Sequence, residues 1–173
     1  MASTNNLNIK QHKRRLIAER IDTDPVAKRG MSVSRLMLLA LLFLRGALFV
    51  FEIVYYGIVN LEVNAVSNLL LIPLLIMIYM IYDGNKALSA ILGISAIVRA
   101  VWLFTSVYPA LPEGGAANAY IGAYLAVMLY QFIAMVLISV YAPAISYFDK
   151  MQTINMELST LLRGASASAN RRK

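Results

Sequence analysis

The stretch Leu36-Met-Leu-Leu-Ala-Leu-Leu-Phe-Leu-Arg45-Gly-Ala-Leu-Phe-Val-Phe-Glu52-Ile-Val-Tyr-Tyr-Gly-Ile-Val59 decides the fold. A helix rises about 1.5 Å per residue, so about 20 mostly apolar residues cross the hydrocarbon core of a bilayer. This run is long enough, and in lipid its backbone N–H and C=O groups find partners only within a helix. It starts too late and runs too long for a signal core, and no small-x-small site follows it, so it reads as a retained first span.

Further along, three more segments meet the same test, giving spans at roughly 35–59, 66–82, 87–107 and 119–147. The links between them are short and polar or breaker-rich: Asn60-Leu-Glu-Val-Asn64, Asp83-Gly-Asn85 and Pro109-Ala-Leu-Pro-Glu-Gly-Gly115. Short links make sequential helices antiparallel neighbours. The expected fold is therefore all-α, a polytopic membrane protein built as a four-transmembrane-helix bundle with a helical cytoplasmic extension after the fourth span. Residues 1–34 read as a basic cytoplasmic tail, disordered or an amphipathic helix. Residues 35–148 form the membrane domain, and 149–173 a cytoplasmic helix and a disordered tail.

Composition agrees. The 173 residues are 60% hydrophobic and only 14% charged, against about 45–50% and about 25% in soluble domains. The charge is clumped: of 16 Lys and Arg, eight lie in the first 35 positions and five follow Asp149. Basic residues stay on the cytoplasmic side during insertion. Lys86 marks the second link as cytoplasmic, whereas the first and third carry only Glu62 and Glu113. Both ends are thus expected inside (N-in, C-in), with a bacterial inner membrane as the preferred location. Tyr55, Tyr56, Trp102, Tyr108, Tyr120 and Tyr124 fall near the outer end of this frame, and Tyr79, Tyr82, Tyr147 and Phe148 near the inner one.

Ionisable residues inside spans cost about 2.5–3.5 kcal/mol each at helix centre, so they mark the bundle interior. Counting about 1.5 Å per residue puts Arg45 about 13 Å from the inner edge at Leu36, Glu52 about 24 Å, Arg99 about 18 Å from Ala87, and Gln131 about 24 Å from Tyr147. Arg45, Glu52, Arg99 and Gln131 form the candidate polar layer. Seven-residue spacing puts Arg45 and Glu52 on one helix face. Ser95, Arg99 and Ser106 make a polar stripe on span 3, and Tyr124 and Gln131 another on span 4. Pro73 falls mid-span in the second helix and removes a backbone hydrogen bond there.

Two readings of the layer follow. In one, Glu52 pairs with Arg99, Gln131 hydrogen-bonds nearby, and the cluster fixes helix register. In the other, two Arg against one Glu leave a cation at depth that seeks an anion, for which the planar guanidinium fork is well suited. Snorkelling of Arg45 to the inner interface is a third possibility.

The tails carry two more patterns. Lys10, Lys13, Arg14 and Arg15, interspersed with Leu16, Ile17 and Ile21, suit a helix lying on anionic lipid. Tyr147, Met151, Ile154, Leu158 and Leu161 recur at steps of four, three, four and three, a coiled-coil stripe requiring a cover. That cover is the N-terminal tail, a second copy, a partner protein or the lipid surface. Gly164 reads as the helix end.

No Cys and a single His, in the basic tail, leave no thiolate chemistry and no zinc-ligand set. No phosphate loop, HExxH or GxSxG occurs. No cofactor, no metal, no nucleic-acid role and no enzyme activity are expected. The first functional expectation is a small transporter or channel-type component favouring an anionic solute or lipid headgroup, acting as a homo-oligomer or in a membrane complex. The alternative is a non-catalytic membrane subunit or assembly factor whose C-terminal helix docks a cytoplasmic partner.

Overall fold

The computed structural model describes residues 2–59, 71–107, 109 and 115–170, all helices and their connections. Six α-helices follow in order: α1 (Ala2–Arg20), α2 (Pro25–Val59), α3 (Leu71–Tyr82), α4 (Ala87–Trp102), α5 (Gly115–Val140) and α6 (Ala142–Asn170). A π-helical turn, Leu103–Val107, continues α4. Three helices are long and apolar enough to cross a membrane: Pro25–Val54, Ala87–Ser106 and Ala117–Val140. Of the expected second span only a shorter apolar helix, Ile72–Tyr82, is described. Residues 66–70 and the links bearing Glu62 and Glu113 lie outside the described residues, and Pro73 falls in the first turn of α3.

Two compact units are present, residues 34–140 and residues 1–33 with 141–173. In the first, buried positions follow helical periodicity. On α2 they are Ser34, Leu38, Leu41, Arg45, Leu48 and Glu52, at alternating steps of four and three. On α4 they are Ser89, Leu92, Gly93 and Ala96. On α5 the stripe includes Tyr120, Tyr124, Met128, Gln131, Met135 and Ile138. The opposite faces are apolar too: Phe43 is 75% exposed, Leu36 69%, Val140 64% and Leu129 60%, the surface that lipid covers.

The contacts fix the direction of each helix. Along α2, Arg45 and Glu52 meet Gln131 and Tyr120 of α5. Along α4, Ser89 and Leu92 meet Ser139 and Gln131. Both sequences descend α5, so α5 is antiparallel to α2 and to α4, and α2 and α4 are parallel. Gly93 permits close approach at this contact: a Cβ there would stand 3.3 Å from the Met135 Cβ. The small pair Gly122 and Ala126 instead faces outward.

The turn between α3 and α4 closes as its sequence suggests. Gly84 adopts φ 107°. Its N–H bonds the Ile81 carbonyl (2.9 Å) and Asn85 N–H the Met80 carbonyl (3.0 Å), the paired bonds of a left-handed helix C-terminus. The Arg35 guanidinium lies over the Tyr82 ring, 4.7 Å from its centroid, bringing the end of α3 to α2.

The second unit differs from the sequence expectation in three respects. Residues 2–20 form a helix, one of the two expected alternatives, but the first membrane-length helix begins at Pro25 rather than 35. Asp24 starts it: its Oδ1 accepts the Val26 N–H (2.9 Å) and the Ala27 N–H (3.3 Å), and Pro25 occupies the first helical position, where no N–H is needed. The fourth expected span does not run through to Tyr147. It ends at Val140, Tyr141 is non-helical, and α6 restarts with Pro143 in its first turn, because Pro cannot continue the hydrogen-bond ladder of α5. Finally, α6 passes Gly164 and reaches Asn170, since alternating Ala and Ser continue a helix at the cost of one Gly.

Helix α6 packs on α1. Leu16, Ile21, Ala27, Tyr147, Met151, Ile154 and Leu158 are all buried. Ion pairs rim this core: Arg20 to Glu157 at 2.7 Å, and Lys150 to Asp24, with Lys150 also donating to the Arg20 carbonyl at 3.0 Å. Gly30 is the tightest point. A Cβ there would lie 1.8 Å from the Pro143 carbonyl oxygen and 2.3 Å from its carbon, so only a hydrogen fits between these backbones.

Gly30→Ala is expected to lower the thermal unfolding midpoint in detergent by several degrees, the scale of about 1–3 kcal/mol for overpacking. Gly46→Ala, whose Cβ meets nothing within 4 Å, holds or raises it. A second expectation concerns acid. The hydrogen bond from Lys150 holds the Asp24 carboxyl below its usual range, helped by the N–H groups of Ala27 and Val26 and opposed by burial. A carboxylate depressed in the folded state contributes stability that is full above its unfolded pKa and lost as pH falls through the folded one. The melting midpoint therefore drops below about pH 4. Asp24→Asn lowers the midpoint at neutral pH and flattens that drop; parallel curves for the two proteins would contradict the assignment.

Candidate functional site

Arg45, Glu52 and Gln131 are buried, at 4%, 7% and 0% exposure, and Arg99 is half-buried. Arg45 projects from the stripe that carries Leu41 and Leu48, so the helix that buries the leucines buries the guanidinium. Its Nη2 donates to Gln131 Oε1 and lies 3.1 Å from the Met128 sulfur, a weak acceptor. Gln131 turns its other end to α4: Nε2 donates to the Leu92 carbonyl at 2.6 Å and to Ser95 Oγ at 3.0 Å. Ser95 in turn donates to the Leu92 carbonyl at 2.8 Å. One glutamine therefore joins α2, α4 and α5.

The Arg45–Gln131 contact is direct because α5 ends at Val140. Gln131 is nine residues from that end, about 14 Å at 1.5 Å per residue, which matches the depth of Arg45. Counting from Tyr147 placed it about 10 Å too deep.

Glu52 accepts a hydrogen bond from the Tyr120 hydroxyl at 3.3 Å, with Arg99 within electrostatic reach of it. The Tyr120 ring stacks on Phe51, with centroids 6.1 Å apart, and tilts against Tyr124 at 6.0 Å. Arg99, Glu52 and Tyr124 all lie within electrostatic reach of Arg45. Arg45 Nε is buried and meets no acceptor among the described residues. Ser106, expected on the stripe of Ser95 and Arg99, is exposed, because the π turn re-phases the helix after Leu103.

Met128 and Tyr120 were not singled out as members of the layer. Tyr120, Tyr124, Met128 and Gln131 lie at steps of four, four and three on one face of α5, and that spacing was the signal that could have found them.

The tail residues are placed as follows. Tyr147, Met151, Ile154 and Leu158 are covered by the chain's own unit, with α1 packed on α6, while Leu161 is 53% exposed beside Leu162 and Met156. On α1, Lys10 and Arg14 are exposed, Lys13 is half-buried, and Arg15 pairs with Glu19 at 2.7 Å. Leu16 and Ile21, the apolar side expected on lipid, lie inside the unit. Among the described residues no group of three His, Asp or Glu side chains could hold a metal ion.

No family model, curated protein or solved structure matches the chain, so geometry alone carries the functional reading.

Gln131→Leu removes the amide acceptor of Arg45, leaving it Tyr124 and the Met128 sulfur, and strips α4 of its cross-link. The expected loss is about 1–2 kcal/mol, the range for buried hydrogen bonds and for hydrogen bonds between membrane helices, read as a lower midpoint in denaturant titration of the detergent-solubilised protein. Ser106→Ala, at an exposed position, leaves the midpoint unchanged.

Proposed function

We propose that this chain is an integral membrane protein that binds an anionic group, a small solute or a lipid headgroup, at the layer of Arg45, Glu52, Arg99 and Gln131, as a transporter or channel-type component without catalysis of its own. The observation that carries the reading is Arg45: a buried guanidinium whose partners are a neutral amide, a thioether and the Tyr124 hydroxyl, with its Nε–H lacking an acceptor and no carboxylate within ion-pair distance among the described residues. A buried cation at membrane depth without an anionic partner is costly. An oxyanion would meet that demand with two-point hydrogen bonding.

Helix directions support a fourth crossing. Helices α2 and α4 are parallel, so the chain between them has to return, and Tyr82 lies beside Arg35, near the start of the apolar run of α2. Residues 60–82 suffice at about 1.5 Å per residue. With four crossings and the basic residues inside, both ends face the cytoplasm, in our reading a bacterial inner membrane.

The alternative, a subunit docking a cytoplasmic partner through α6, has narrower support. The chain itself covers four of the five stripe residues, which leaves Leu161 with its exposed neighbours for any partner.

Equilibrium binding of radiolabelled benzoate, inorganic phosphate and oleate to the protein in zwitterionic nanodiscs tests the reading. At least one is expected to bind, and Arg45→Gln to weaken it about tenfold or more while far-UV circular dichroism stays unchanged. Binding indifferent to Arg45 would sink the proposal.

A further inference from the structure

Between α4 and α5 an apolar groove of about 440 Å³ opens on the bundle surface, a volume within the range of small-molecule sites. Ala96, Ala100 and Ala126 make its hollow, and Leu129 and Phe132 stand at its sides. Leu129 and Phe132 belong to the exposed apolar surface, so the groove faces the hydrocarbon. Met128 also lines it, and the sulfur of Met128 stands 3.1 Å from Arg45 Nη2. A flexible side chain thus links an apolar slot to a buried cation.

We propose that an anionic amphiphile enters the bundle sideways, its hydrocarbon chain in the groove between α4 and α5 and its acidic group directed past Met128 onto Arg45. This rests on the anion-binding reading above and names its ligand class. Charge complementarity selects the head: the Arg45 Nε–H is buried without an acceptor among the described residues, and an oxyanion accepts where a neutral hydrocarbon end cannot. The lining selects the tail, because it is carbon throughout apart from the Met128 sulfur. The route follows from what brackets the cation. On α2 the buried Leu41 and Leu48 flank Arg45 along the helix axis. Met128, unbranched and easily re-rotamered, touches both the guanidinium and the groove.

A fatty acid carrying a chain diazirine, photolysed with the full-length protein in nanodiscs and mapped by peptide mass spectrometry, tests this. Saturable adducts are expected at 96–100 and 125–132. Oleate should compete at about tenfold lower concentration than oleyl alcohol, which differs only in lacking the charge. Ala126→Phe, at an exposed position, fills the hollow without entering the core and should cut those adducts about tenfold; circular dichroism checks its fold. Arg45→Gln should abolish the advantage of oleate over the alcohol. Unsaturable labelling, or labelling unaffected by Ala126→Phe, overturns the lateral site, and the anion reading survives if Arg45→Gln still weakens benzoate or phosphate. If Arg45→Gln changes neither the oleate advantage nor the binding of the small anions, both fall.

Discussion

A guanidinium inside an apolar bundle has to be solvated by the protein, and that constraint shapes the arrangement of α2, α4 and α5. Gln131 meets it with chemically opposite ends: its carbonyl oxygen accepts a hydrogen bond from Arg45 and its amide nitrogen donates two to α4. Reversing the amide would set donor against donor at Arg45 and acceptor against carbonyl at Leu92. Only one orientation works, so the link fixes the axial register of three helices as well as their proximity. The hydrocarbon faces cannot do this, because lipid tails and leucines are equally apolar and sliding along an apolar interface costs little.

Much of this was legible in the residues. The stripe of α2 at alternating steps of four and three, the depth of Arg45, the turn at Asp83-Gly-Asn85 and the burial of Glu52 and Gln131 follow from periodicity and from the cost of charge in lipid. The partner of Glu52 on α5 was not: opposite charge pointed to Arg99 and gave no hint of the Tyr120 hydroxyl, which the antiparallel run of α5 against α2 brings to the level of Glu52. Tyr120 had been read as an interface aromatic, since composition does not reveal that its ring lies under Phe51 with the hydroxyl turned inward. The depth of Gln131 was overestimated because the run from 119 to 147 is unbroken in hydropathy, while Pro143 ends the hydrogen-bond ladder near Val140.

In the unit formed by 1–33 and 141–173, the stripe on α6 announced that something must cover it, but an amphipathic face does not encode its occupant. The cover is α1, and the signals for its packing were local. Asp24-Pro25 is a helix start, a capping signal that neither the charge nor the apolar spacing of the tail expresses. Gly30 was indistinguishable from any other glycine until the Pro143 carbonyl was placed against it. Close backbone approach is a property of two segments more than a hundred residues apart in the chain, and a single sequence records only one side of it at a time.

The π turn bears on what kind of site the polar layer makes. Ser95 and Arg99 on α4 would continue toward Ser106 in a regular helix, giving a lane of polar groups along the bundle. The π turn at Leu103–Val107 rotates Ser106 outward, while Leu103 enters the core beside Tyr120 and Tyr124. On α2, Leu48 stands between Arg45 and Glu52, while Tyr124 of α5 hydrogen-bonds Arg45. On α4 the polar groups are therefore bounded by carbon beyond Leu103. A bounded layer is unsuited to a water-filled pore through a single bundle, and a ligand has to reach it between helices. That favours the side on which α4 and α5 present alanines, where small residues that permit close packing near Gly93 leave a hollow one to two turns further along.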